Sequence, residues 1–235
     1  MDKFKDVPEY LLIHTNRLCS NLSRVDSLID LYDFLSNMLS RYEEAAEQDL
    51  VLKMKRPPDP LEILRAAIVF LHASLEDVLR SIAAKHVSHS NPDLLKDVPF
   101  LNSGIRPKKI TLTDLLQYQG ETIEGLINKS VNQWLEHRSF NDCNDIAAFL
   151  QRIEIDCTAC SSEFAALDEM IKRRHKIVHN ADRRDVYDES KHPILESTDR
   201  GTVEMWRESV QNFVVQLMYQ LQTAVEPEQK QKGQE

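Results

Sequence analysis

Apolar residues recur at intervals of three and four along nearly the whole chain, which is the spacing of one face of an α-helix. Alternating strand-like runs are missing, as are the Asn-Gly and Asp-Gly dipeptides of tight hairpins. The helical pattern begins near Pro8 and runs to about Lys55. A break is expected around Ser20–Ser23, with Ser23 and Asp26 suited to a fresh start. Arg56-Pro57-Pro58 stops it. Asp59 then suits an N-cap, Pro60 the first helical position and Glu62 a box-like arrangement. The helix that follows, to about His86, carries Leu64, Ile68, Leu71, Leu75, Val78 and Ile82 on one stripe. Val69, Phe70 and Ala73 make its other faces apolar too, which places it at the centre of a bundle.

Pro92, Pro99, Gly104 and Pro107 make residues 87–111 an irregular excursion. Shorter helices are expected at about 112–119, 121–137 and 143–153, and a stronger one at 160–179. The polar stretch 181–200 reads as a loop. Val203, Trp206, Val210, Phe213, Leu217 and Leu221 mark a terminal helix over 202–225. The expectation is an all-α protein: an N-terminal helical extension (1–55), one helical domain (59–225) and a solvated tail (226–235).

Composition narrows the chemistry. Five glycines in 235 residues is about 2%, against roughly 7% on average. Neither GxGxxG nor GxxxxGK[ST] occurs, so dinucleotide-fold and P-loop chemistry are excluded. The net charge of −9 excludes general attraction to nucleic acid or anionic membrane, so any polyanion must meet a local basic patch. No membrane partner is expected, because the most apolar stretch, Ala66 to Leu75, falls well short of the roughly 20 residues that span a bilayer. MDKFKDVPEY has no apolar signal region, so a cytoplasmic location with four reduced cysteines is expected.

The stretch from Phe164 to His179 carries the most chemistry. At 100° per residue, Phe164, Leu167, Ile171 and Val178 fall within about 60°, with Arg174 at the edge of that arc. Arg173 falls roughly 180° from Phe164, on the side expected to be solvated. A guanidinium cannot be neutralised, so Arg174 on an apolar stripe needs a paired acid or an anionic ligand. His175 and His179 have the spacing of two metal ligands, but no glutamate follows as in HExxH and no third ligand lies nearby. Cys157-Thr-Ala-Cys160 could be half of a zinc site or a redox pair; a second CxxC is missing, leaving Cys143 nearby. A zinc-stabilised helical adaptor built on Cys143, Cys157, Cys160 and a histidine is therefore an alternative. Residues 172–184 hold Lys172, Arg173, Arg174, Lys176, Arg183 and Arg184 against one acid, Asp182, a net +5 within a chain of −9.

Arg174-His-Lys-Ile-Val-His179, followed by Asn180, resembles the R-x4-6-H signature of HEPN-domain proteins, with the polar residue that often follows the arginine there. Arg80 and His86 match the same loose spacing, so context must discriminate. The first pair ends a helix, precedes a polar loop and is followed by an amphipathic terminal helix. Upstream, the run from Arg65 to Leu79 resembles the early central helix of those proteins, which often carries an acid near the active site. The resemblance covers about residues 60–222.

It implies a helical bundle of HEPN type, a homodimer that brings two R…H motifs together, and a metal-independent endoribonuclease without cofactor, as in toxins and antiphage effectors. His179 is then the general acid/base, Arg174 steadies the phosphate, and Glu76 is the nominated orienting acid. RNA contacts fall to Lys172, Arg173, His175, Lys176, Asn180, Arg183 and Arg184. RNA supplies its own nucleophile, the 2′-OH, so proton transfer and charge stabilisation suffice. Positions five apart on one helix diverge by about 140°, so convergence needs a frayed helix end or a second subunit. In some family toxins a tyrosine closely follows the histidine as a target for modification. Here Tyr187 lies eight residues on, which weighs against that kind of antitoxin, although an antitoxin or regulatory protein remains an expected partner. The alternative is a HEPN-like module that binds RNA or protein without cutting.

Overall fold

The computed structural model describes residues 9–47, 55–89, 92–102, 110–187 and 193–232. Among the described residues eight α-helices form an all-α bundle: α1 (Glu9–Glu47), α2 (Leu61–His89), α3 (Pro92–Leu95), α4 (Leu112–Leu115), α5 (Ile123–Glu136), α6 (Cys143–Arg152), α7 (Phe164–Asn180) and α8 (Arg200–Lys232). Between α7 and α8, β1 (Arg183–Tyr187) and β2 (Pro193–Leu195) pair antiparallel, Arg183 opposite Leu195 and Tyr187 opposite Pro193. Within the expected loop, residues 183–187 and 193–195 thus form a small ribbon. Its pairing rests on backbone bonds that no apolar periodicity announces.

α2 occupies the centre, as its all-round apolar surface requires. Ile68, Leu71, Leu75, Val78 and Leu79 have no exposed area, and the helix packs against α1, α5, α7 and α8. Asp59 accepts from the Leu61 N–H at 2.9 Å and Pro60 sits at the helix entrance, as the start signal predicts. The Glu62 carboxylate turns instead to Arg65.

α1 is one continuous helix, without the expected break at Ser20–Ser23. Leu18, Leu22, Val25 and Ile29 keep a single apolar stripe through that region, buried in the same core as α2. Ser27 donates back to the Ser23 carbonyl at 2.9 Å, so its hydroxyl is satisfied inside the helix. Arg207 of α8 pairs with both oxygens of Asp26, at 2.8 and 2.9 Å, tying α1 to α8. α8 continues through residues 226–232, where a solvated tail is expected, because Glu, Gln and Lys extend a helix that is already formed. No helix among the described residues is long and apolar enough to cross a membrane.

Candidate functional site at the end of the seventh helix

The face that α7 buries is set by Leu167, Met170 and Ile171. These lie at about 300°, 240° and 340° from Phe164, so the covered arc is wider than the expected stripe and turned toward Met170. Arg174, at about 280°, falls inside that arc as expected, while the expected solvation of Arg173 is overturned. Val178 is 46% exposed. Arg173 is only 7% exposed, because the chain beyond α7 folds back over it.

That covering centres on Asp182, which is 1% exposed. α7 ends in two left-handed residues, Ala181 (φ 48°) and Asp182 (φ 59°), and the Asp182 N–H donates to the Lys176 carbonyl at 3.1 Å. The turn drives the Asp182 carboxylate inward between two guanidiniums. Arg65 Nε donates to it at 2.7 Å, and Arg173 donates through both terminal nitrogens, the second at 2.7 Å. Arg173 also donates to Thr198 Oγ1 at 2.8 Å and to the Glu196 carbonyl at 2.7 Å. Arg65 reaches Glu62 at 2.9 Å and the Glu196 carbonyl at 3.2 Å. Arg173 is therefore a structural residue, and the RNA contact expected of it is corrected.

Arg174 lies near enough to α2 for its charge to act on His72. It is half-buried, and its Nε is buried without a hydrogen-bond partner among the described residues. Facing it on α2 is His72, 3% exposed, with Nε2 at 3.2 Å from the Phe140 carbonyl. Burial holds the His72 pKa below its ordinary value. The Glu76 charge opposes that shift, while Arg174 and Arg80 reinforce it. His72 is thus the neutral, buried centre of a polar group formed by α2, α7 and the turn at Phe140. Sequence reasoning assigned it no role, though it stands one helical turn before Glu76 on the same helix.

Glu76 does not bond to either motif residue. Its Oε1 accepts from the Phe140 N–H at 3.2 Å and its Oε2 lies 3.3 Å from Arg80. His179 is exposed, and its ring lies 4.3 Å, centre to centre, from that of His175. α7 stays helical through Asn180, so the helix end does not fray to bring Arg174 and His179 together. Lys172, His175, Lys176, Asn180 and Arg183 are exposed around the motif, with Lys176 paired to Glu196 at 3.0 Å. The side chain of Arg184 lies outside the described residues.

The cysteines are free thiols. Burial and the nearby acids hold Cys143, Cys157 and Cys160 protonated: Cys160 is pushed up to about 12, and Cys143 and Cys157 are raised as well. That environment opposes the thiolate that zinc or disulfide exchange requires. Among the described residues no group of three or more His, Cys, Asp or Glu side chains is placed to hold a metal ion.

The RiboL-PSP-HEPN family model matches residues 20–222, from within α1 to near the end of the packed part of α8. No curated protein and no solved structure matches the chain.

Proposed function

From a chain that belongs to the RiboL-PSP-HEPN family, we propose a metal-independent endoribonuclease in which Arg174 and His179 carry the chemistry. The ribose 2′-OH attacks the adjacent phosphorus as a base takes its proton, and the P–O5′ bond breaks as an acid protonates the leaving oxygen. The products are a 2′,3′-cyclic phosphate and a 5′-OH end. His179 transfers the protons, and Arg174 stabilises the charge that develops on the phosphorane. Glu76 contributes by holding the turn at Phe140, whose carbonyl meets His72.

The observation that carries this reading is Arg174 itself. A half-buried guanidinium whose Nε has no partner among the described residues is a cation held ready for an anion. Its neighbour Arg173 is fully engaged, so the two adjacent arginines differ in this respect. Arg80 also has a buried Nε without a partner, but its terminal nitrogen is held by Glu76 and the Arg138 carbonyl.

Because α7 is unbroken, Arg174 and His179 diverge by about 140°. A homodimer that apposes two α7 segments supplies the missing convergence, with the exposed Val178 beside the two histidines as part of the contact. In this reading the protein is a toxin or antiphage effector, restrained in the cytoplasm by an antitoxin or regulatory partner.

The test is incubation of purified protein with mixed RNA in EDTA, followed by mapping of the cleaved ends. Cleavage that survives the chelator, leaves cyclic phosphates and disappears in both Arg174→Ala and His179→Ala supports the proposal. A monomeric mass at micromolar concentration counts against the dimer. A second reading, a HEPN-like module that binds without cutting, draws on Glu76 being engaged by Arg80 and Phe140 rather than by the motif. Intact RNA after incubation, with binding retained, is its signature.

A further inference from the structure

The loop joining α5 to α6 forms one wall of the His72 group through Phe140, and its other side opens on a cavity of about 380 Å³. Trp134, His137, Arg138, Arg152 and Asp97 line that cavity. Its size falls within the range of small-ligand sites, roughly 300–1,000 Å³.

The chemistry of the lining is specific. The Arg138 guanidinium carbon sits 4.6 Å from the centre of the Trp134 ring, which forms a cation–π platform. Phe149 backs the indole at 6.3 Å, so the platform rests on the core. Arg152 pairs with Asp97 across the opening. Burial and the neighbouring Arg152 pull the Arg138 pKa below its ordinary value, with only partial relief from Asp97. The guanidinium keeps its charge near neutral pH, so the cavity holds positive charge at a cost that an incoming anion lowers.

Hydrogen bonds link the wall of the cavity to the polar group around His72. Arg80 donates to the Arg138 carbonyl at 2.6 Å and pairs with Glu76, while Arg80 and Arg174 both act on His72. Arg80 therefore ties the Arg138 backbone to Glu76, while Arg138 and Arg152 present two cations at the cavity. Cations beside a stacking platform suit a single strand of RNA, whose phosphates need positive charge and whose bases stack on aromatic and guanidinium planes.

We infer that the Trp134–Arg138–Arg152 cavity is a nucleotide subsite that seats one base and phosphate of the RNA flanking the scissile bond. The inference rests on the RNA-cleaving reading of Arg174 and His179 and adds a specificity element to it. An acidic peptide would use the same charges but has no use for the Trp134 platform.

The test is binding of a short fluorescein-labelled single-stranded RNA to the full chain carrying His179→Ala, so that the strand stays intact. Trp134→Leu and Arg138→Lys, checked for an unchanged melting temperature, should each weaken binding roughly tenfold. Trp134→Phe should restore it, because a smaller ring still stacks. Arg152→Gln should reduce the salt dependence by about one counterion. Arg200→Gln, on the α1 side and paired with Asp33 and Glu204, should bind as the parent does. Parent-like binding in Trp134→Leu, Arg138→Lys and Arg152→Gln, while the active protein still cuts RNA, overturns the subsite and leaves the ribonuclease standing. A chain that neither binds nor cuts RNA overturns both. Competition by free adenosine 5′-monophosphate or by polyglutamate as strong as that by unlabelled RNA overturns RNA as the occupant.

Discussion

Replacing Asp182 by Asn isolates the charge that holds the end of α7. Asn is close in shape and tolerates the left-handed backbone found there, so the turn itself is preserved. What is lost is the negative charge between Arg65 and Arg173, both almost fully buried. Breaking a buried ion pair costs about 3–5 kcal/mol, because the stranded charge keeps its desolvation penalty without its partner. Two features soften the loss. Glu196 lies 3.3 Å from Arg173, and Glu62 bonds to Arg65 at 2.9 Å, although both acids are partly exposed. The expected loss is therefore near the lower bound, about 3 kcal/mol, which for a chain of this size lowers Tm by roughly 6–12 °C. Urea unfolding followed by far-UV circular dichroism measures it, with the slope checked for two-state behaviour. Adding Arg173→Met removes one of the two stranded cations, and a double-mutant cycle should return a coupling of at least about 1.5 kcal/mol. A loss below about 1 kcal/mol in the single variant, the scale of an exposed pair, refutes the argument that Asp182 works as a buried counter-charge.

Arg173→Ala should destabilise the fold by a similar route, whereas Arg174→Ala should leave Tm nearly unchanged and abolish cleavage; equal melting losses would sink the distinction between them. His14, His72 and His86 are each held below their ordinary pKa, first of all by burial. As pH falls through about 6.5 the unfolded chain takes up protons that the native state refuses, so stability is fully present above that value and declines below it. A thermal scan from about pH 7.5 to about pH 5.5 should show Tm falling, and a flat profile would contradict the assignment. Leu71→Ala, at a position with no exposed area on the central helix, should cost about 3–5 kcal/mol in denaturant unfolding.

The central position of α2 was legible because its residues are apolar on every side, and no partner sequence is needed to see that. The start at Asp59-Pro60 was legible for a similar reason: both signals act within one turn. Serines in α1 misled, since Ser23 starts a helix as readily as it sits inside one, and only the packed stripe of Leu18, Leu22, Val25 and Ile29 decides. The environment of Arg173 escapes the sequence for a different reason. A stripe drawn from Phe164 to Val178 leaves out Met170, which widens the covered face toward Arg173. Thr198 and Glu196, which hold Arg173, arrive from across the β-ribbon, and no helical periodicity can anticipate them. His72 could have been found by asking what a histidine on the most apolar helix bonds to, since a buried imidazole must find a partner.

Two adjacent arginines on one helix thus end in opposite roles, and burial alone does not separate them. Arg173 is the more buried of the two, yet it has an acid, a hydroxyl and a carbonyl within bonding distance. Arg174 is less buried and has a buried Nε left over. A protein tuned only for stability would supply Arg174 with a carboxylate, and Glu76 stands on the facing helix where it could serve. It is drawn instead to Arg80 and the Phe140 N–H. The Asp182 network then makes physical sense as support for that arrangement. It fixes the helix end on one side, so that a guanidinium one residue on can stay uncompensated without the helix rotating to pair it. Loosening the network by Asp182→Asn should therefore lower turnover at temperatures where the fold remains intact, with RNA affinity changed far less.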